Sequence, residues 1–177
     1  MKILIIATRR SGGSNLGKWI SMEKGLDYIY EPNITDNFIV DNIVTKIIYE
    51  EHNEEKIKKI SKEFDKVIIH KRINIVHQAE SWTHSQINNS YDKKYSIKPK
   101  FLEKNINLYY KLYNNLVINN DKLNNLNIGI QTTYEEIFSD EYDWTFLLKY
   151  LEIEKPKYLH FLNNKNKYRD TKKQKLL

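Results

Sequence analysis

Two arginines, two serines and two glycines stand together at Arg9–Ser14, in the order Arg-Arg-Ser-Gly-Gly-Ser. An apolar, β-branched run, Ile3–Ala7, precedes them and reads as a buried strand. A segment with helical spacing of Leu16, Trp19 and Ile20 follows. Strand, glycine-rich turn and helix together make an anion site. Glycines let backbone N–H groups turn inward, and the first helical turn adds unpaired N–H groups and a positive dipole end. Arg9 and Arg10 can add charge, and Ser11 and Ser14 can add hydroxyl donors. The ligand such a turn fits is a phosphate or sulfate ester.

Gly12-x4-Gly17-Lys18 satisfies most of the nucleoside-triphosphatase loop pattern, but Trp19 stands where that loop needs a magnesium-holding Ser or Thr. A different register fits better. Arg10-Ser11-Gly12-Gly13-Ser14-Asn15-Leu16 resembles the 5′-phosphosulfate loop of sulfotransferases that use 3′-phosphoadenosine 5′-phosphosulfate (PAPS). That loop runs Lys/Arg-Ser-Gly-Ser/Thr-Ser/Thr-x-Leu, and Gly13 replaces one of its hydroxyl residues here.

A second segment carries the same resemblance. Lys66–His70 reads as a strand and leads through Lys71-Arg72 into a helix over Asn74–Ser85, with Asn74 as its cap. Sulfotransferases place an Arg at such a strand end and a Ser about two turns into the helix, and the pair holds the nucleotide's 3′-phosphate. Arg72 and Ser81 match them, at a spacing one longer than the commonest form. The run Gln78-Ala79-Glu80-Ser81 is similar to the trehalose-sulfotransferase type, with Lys71 substituting for a second basic residue where Ile73 stands. A guanidinium gives a planar, multiply bonded phosphate contact, and a hydroxyl completes it.

The resemblance implies further roles. Asp27–Tyr30 reads as a short strand ending at Glu31-Pro32, where Pro32 favours an extended Glu31 at the strand's carboxyl edge. In several carbohydrate sulfotransferases a glutamate so placed is the catalytic base. Ile43–Tyr49 reads as the next strand and contains Lys46, which could stabilise the leaving oxygen. His52 follows it, as a histidine base follows a Lys-containing strand in cytosolic sulfotransferases, so Glu31 and His52 are rival bases. Tyr134-Glu135-Glu136-Ile137 is similar to the segment after the family's last core strand, and Tyr134 either approaches the adenine or packs in the core. The tail Asn163–Leu177 is dense in basic residues and either folds over the 3′-phosphate, with Arg169 as first contact, or stays solvated.

The elements that must position these residues are legible in outline. Glu54–Phe64 is an amphipathic helix with Ile57, Ile60 and Phe64 on one face. Ile34–Asn42 is a short helix or loop, and Asn88–Pro99 is a polar loop of the kind that faces the acceptor in a sulfotransferase. Phe101–Leu123 is a long helix, Ile128–Tyr134 a strand and Trp144–Leu151 a short helix. His77 and His84 share a helical face, but no carboxylate cluster accompanies them, so they read as non-metal. The implied fold is α/β: one domain, a three-layer α/β/α sandwich with a mainly parallel central sheet, P-loop-like.

Composition agrees with a single core in 177 residues. The chain has no cysteine, which excludes disulfides, thiolate catalysis and Cys-type zinc sites. A net charge of +6 suits an anionic ligand and is too mild to demand nucleic acid. The first apolar run is too short for a membrane span or a signal peptide core, and a cytoplasmic protein is expected. The implied activity is transfer of a sulfuryl group from PAPS, without metal, to a hydroxyl or amine of a small-molecule or carbohydrate acceptor. The competing readings are a small magnesium-dependent kinase using Lys18 and a non-catalytic module that binds nucleotide or RNA.

Overall fold

A computed structural model describes residues 1–32, 40–88, 103–139 and 142–162. Five strands form one all-parallel sheet: β1 (Lys2–Ala7), β2 (Asp27–Tyr30), β3 (Ile43–Ile48), β4 (Lys66–Lys71) and β5 (Ile130–Thr133), in the order 2-3-1-4-5. The helices are α1 (Gly13–Lys24), α2 (Glu54–Ser61), α3 (Ile75–Asn88), α4 (Ile106–Asn124), the single turn α5 (Tyr134–Ile137) and α6 (Thr145–Leu151).

The central strand is apolar from Ile3 to Ala7 because both of its faces are covered there, as parallel sheets require. Successive side chains alternate, so Ile3, Ile5 and Ala7 join one core and Leu4 and Ile6 the other. The first core holds Leu16, Trp19 and Ile20 of α1, Ile137 of α5 and Leu147 and Leu151 of α6. The second holds Ile57 and Ile60 of α2 and Leu123 of α4. Helices therefore lie on both faces. A satellite cluster of Ala79, Trp82, Leu112 and Leu116 locks α3 to α4.

The helices that follow β1 and β3 run over opposite faces, α1 on one and α2 on the other. A crevice opens at the carboxyl ends of strands where neighbouring connections diverge in this way. The loop Thr8–Gly12 lies there. Parity puts Lys46 on the α1 side of β3, with Val44, and His70 on the α1 side of β4, with Ile68.

Three expectations change in detail. The helix over Glu54–Phe64 stops at Ser61, whose hydroxyl donates to the Ile57 carbonyl, although Phe64 still enters the core. The last strand begins at Ile130 rather than Ile128, because Asn127 and Gly129 both take left-handed backbone angles, φ 48° and 62°. Glu31 is not extended before Pro32: its φ is 46°. It keeps the ladder all the same, donating its N–H to the Lys46 carbonyl at 2.9 Å.

Tyr150 supplies a missing ladder partner. Its hydroxyl accepts from the Val67 N–H at 2.9 Å and donates to the Val67 carbonyl at 3.0 Å. β5 pairs with β4 only from Ile68 onward, so the phenol satisfies the strand where β5 has not yet begun. Among the described residues no helix is long and apolar enough to cross a membrane.

Candidate anion site

The loop after β1 is held from below and from both sides. Thr8 donates its hydroxyl to Asn120 Oδ1 at 3.0 Å and accepts from Gln78 Nε2 at 2.9 Å. Gln78 Nε2 also donates to the Arg9 carbonyl. All three side chains are buried, so this network is satisfied internally and fixes α3 and α4 against the loop. On the other side Glu50 Oε1 accepts the Arg9 N–H at 3.0 Å. Burial pushes the Glu50 carboxyl pKa up, against the pull of Arg9 and Lys46.

The loop turns sharply at Arg10, φ 61°, and at Gly12, φ 90°. The left-handed conformation costs a non-glycine residue about 1–2 kcal/mol. Arg10 has a compensating contact: its Nε donates to Ser81 Oγ at 3.0 Å. Gly12 is required twice, by its φ and by space. A Cβ there would lie 2.6 Å from the Tyr134 ring. Gly13 lets α1 settle onto β1, since a Cβ would lie 2.8 Å from that of Ala7.

Gly12 is the N-cap of α1 and has no side chain to cap with. Among the described residues no hydrogen bond engages the backbone N–H groups of Gly12, Gly13 or Ser14, the orphan donors of a helix N-terminus. The Asn15 N–H goes back to the Gly12 carbonyl at 2.9 Å and continues the helix. Ser11 is buried, and its Oγ has no hydrogen-bond partner among the described residues. The Ser14 hydroxyl lies beside the phenols of Tyr28 and Tyr30. Burial pushes the Tyr28 phenol up strongly and that of Tyr30 to about 12, so both stay neutral near pH 7.

The second basic segment adjoins this loop. The Arg72 guanidinium lies over the Tyr134 ring, 4.3 Å from its centroid, and Tyr134 packs on Gly12 and Phe138. Arg72 Nε is 3.7 Å from Glu135 Oε1. Glu135 in turn accepts from the N–H groups of Ile73 and Asn74, at 2.8 and 3.0 Å, and so fixes the corner between β4 and α3. Asn74 caps α3 as its sequence suggests, its Oδ1 accepting the His77 N–H at 3.0 Å. Ser81, expected beside Arg72, makes its hydrogen bond with Arg10 instead. The two anion-type segments thus meet directly, through Arg10–Ser81 and through the stack Arg72–Tyr134–Gly12.

Glu31 and Lys46 form an ion pair at the ends of β2 and β3. The Lys46 side chain is 5% exposed and that of Glu31 21%. Burial draws the Lys46 pKa down, and the Glu31 and Glu50 carboxylates oppose that shift. Lys46 Nζ also lies 5.1 Å from the Tyr30 ring centroid. His52 is placed apart, beyond the 3-10 turn Tyr49–Glu51, with Glu51 and Lys56 as its charged neighbours. Among the described residues no contact joins His52 to Glu31, Lys46 or Arg10. Arg9 reaches the same corner, pairing with Glu51 over the Trp82 ring.

The triphosphatase register is not the one the helix uses. Gly17 lies inside α1, where the absence of a Cβ makes room for Tyr28. Lys18 is exposed and stands five residues past the start of α1, roughly 7.5 Å along the axis. Arg169 and the tail, residues 33–39 and most of the polar loop over 88–99 lie outside the described residues. Among the described residues no cluster of three His, Asp or Glu side chains could hold a metal ion.

Sequence reasoning missed Thr8, Gln78, Asn120, His70 and Glu50 as parts of this site. A signal existed for two of them. Asn120 interrupts the buried stripe Leu116–Leu123 of α4, and Gln78 sits in the stripe Ile75–Ala79–Trp82 of α3. A polar side chain on a buried stripe needs a polar partner. No protein-family model matches this sequence, and no curated protein matches it at a significant level.

Proposed function

We propose that this chain is a PAPS-dependent sulfotransferase acting on a hydroxyl or amine of a small-molecule or carbohydrate acceptor. The observation that carries the reading is the direct contact between the loop of α1 and the Arg72/Ser81 segment. A doubly phosphorylated adenosine needs two anionic subsites within one crevice, and the Arg10–Ser81 hydrogen bond joins the two candidates. Lys18, on which the kinase reading depends, faces solvent.

In this reading the unpaired N–H groups of Gly12, Gly13 and Ser14, with the Ser11 hydroxyl, hold the 5′-phosphosulfate. Arg72 and Ser81 hold the 3′-phosphate, and Tyr134 forms the floor between the two. The acceptor oxygen attacks sulfur while the bond from sulfur to the bridging phosphate oxygen breaks. Charge then builds on the departing phosphate, where Arg10 and the loop N–H groups oppose it. The acceptor's proton goes to a carboxylate oxygen of Glu31. Its ion pair with Lys46 fixes the carboxylate at the strand ends and places a cation beside the developing charge.

Transfer of label from [35S]PAPS to a panel of sugar, alcohol and amine acceptors tests the reading. Labelled product formed without added metal supports it. Magnesium-dependent transfer from ATP, with none from PAPS, overturns it.

A further inference from the structure

His70 is fully buried at the end of β4, beneath the loop. Its Nε2 lies 3.0 Å from the Ser11 carbonyl oxygen and its Nδ1 2.9 Å from Thr132 Oγ1. A carbonyl can only accept, so Nε2 carries the proton and the unprotonated Nδ1 accepts from the Thr132 hydroxyl. Both ring nitrogens are engaged, and the ring cannot turn without losing both bonds. Its Cδ2 edge also abuts the loop, 3.7 Å from where a Gly13 Cβ would stand.

The consequence follows from peptide geometry. No peptide bond in the described chain is cis. In a trans peptide the carbonyl and the following N–H point in opposite directions. Holding the Ser11 carbonyl down onto the imidazole therefore turns the Gly12 N–H up, away from the sheet. That N–H has no partner among the described residues. Without the imidazole, the Ser11–Gly12 peptide could rotate, and the Gly12 donor would be lost to an incoming anion.

We infer that His70, set by Thr132, is a positioning residue for the anion cradle, orienting the Gly12 N–H toward a bound phosphate or sulfate group. This inference rests on the anion-site reading above. It assigns His70 no contact with the ligand and no proton transfer. Burial draws the His70 pKa down to about 4, which keeps the ring neutral and its single donor on the carbonyl.

The test uses 15N-labelled full-length protein titrated with adenosine 3′,5′-bisphosphate and, separately, with inorganic pyrophosphate. The readouts are affinity and the Gly12 and Gly13 amide shifts, with urea midpoints recorded so that each variant is compared while folded. His70→Leu is expected to weaken bisphosphate binding about tenfold, the scale of one hydrogen bond to a charged group, and to abolish the Gly12 shift. His70→Gln, whose amide can donate to the same carbonyl, is expected to restore affinity to within about threefold. Thr132→Val, which spares the ring, is expected to fall between them, and it serves if His70→Leu does not fold. Unchanged affinity and an unchanged Gly12 shift in folded His70→Leu, or in Thr132→Val, overturn the inference. Wild-type amides that move with neither anion overturn the anion-site reading instead, a separate result.

Discussion

Acidification should expose His70 as a stability sensor. Burial, the largest influence on this ring, lowers its folded pKa from 6.5 to about 4, with Lys46 adding to the shift and the Ser11 carbonyl opposing it. The sign follows from linkage. Below pH 6.5 the unfolded chain takes up a proton that the folded chain refuses until about pH 4, so stability is lost as pH falls through that window. At 1.36 kcal/mol per tenfold, the loss attributable to this one ring is about 2 kcal/mol by pH 5 and about 3 kcal/mol at pH 4. Urea unfolding of wild type and His70→Gln at pH 7.5, 6, 5 and 4 isolates it. Glu50 and Glu80, whose pKa values burial raises, work in the opposite direction, while His52 and His84, lowered by burial, work in the same one. All four are present in both proteins and cancel in the difference. The stability difference should move in the variant's favour by about 2 kcal/mol between pH 7.5 and 5. Parallel loss of stability in the two proteins would refute the reasoning, because a ring free to protonate when folded contributes no such slope.

Two other predictions concern Glu31, the carboxylate proposed as base, and the sheet. Glu31→Gln should leave bisphosphate affinity within about threefold of wild type while turnover from PAPS falls at least about a hundredfold, the low end of general-base contributions. Steady-state rates beside binding isotherms check this, and retained turnover would move the base to His52. Tyr150→Phe removes the hydroxyl that serves both the N–H and the carbonyl of Val67, and should cost about 1–3 kcal/mol in urea unfolding. A change below about 0.5 kcal/mol would mean that water or a shifted β5 replaces it.

The sheet was legible because its signal is local. Ile3–Ala7 is apolar at every position, which a strand buried on both faces demands, and the spacing of Ile57 and Ile60 marks the buried face of α2. The turn at Gly12 was legible for the same reason: glycines after a strand and before a helix have few other uses. What the sequence could not reveal is pairing at a distance. Ser81 reads as a partner for Arg72, nine residues before it, yet it bonds Arg10, seventy-one residues away, because α3 packs against the loop. Lys46 reads as an interruption in an apolar strand. It is tolerated there because Glu31, in a left-handed conformation that Pro32 argues against, brings its carboxylate back over the strand end. His70 reads as the end of a buried strand, and only the packing of Ser11 above and Thr132 beside it discloses what both ring nitrogens do.

Calorimetric titration with adenosine 3′,5′-bisphosphate, in metal-free buffer, tests the joined crevice most directly when wild type is run beside Arg72→Ala. The account predicts one site per chain in wild type. It also predicts a loss of at least about tenfold in the variant, the scale of one charge-assisted phosphate contact, and no comparable heat from ATP with magnesium. Equal affinity in the two proteins, or tight binding of magnesium ATP alone, would contradict it.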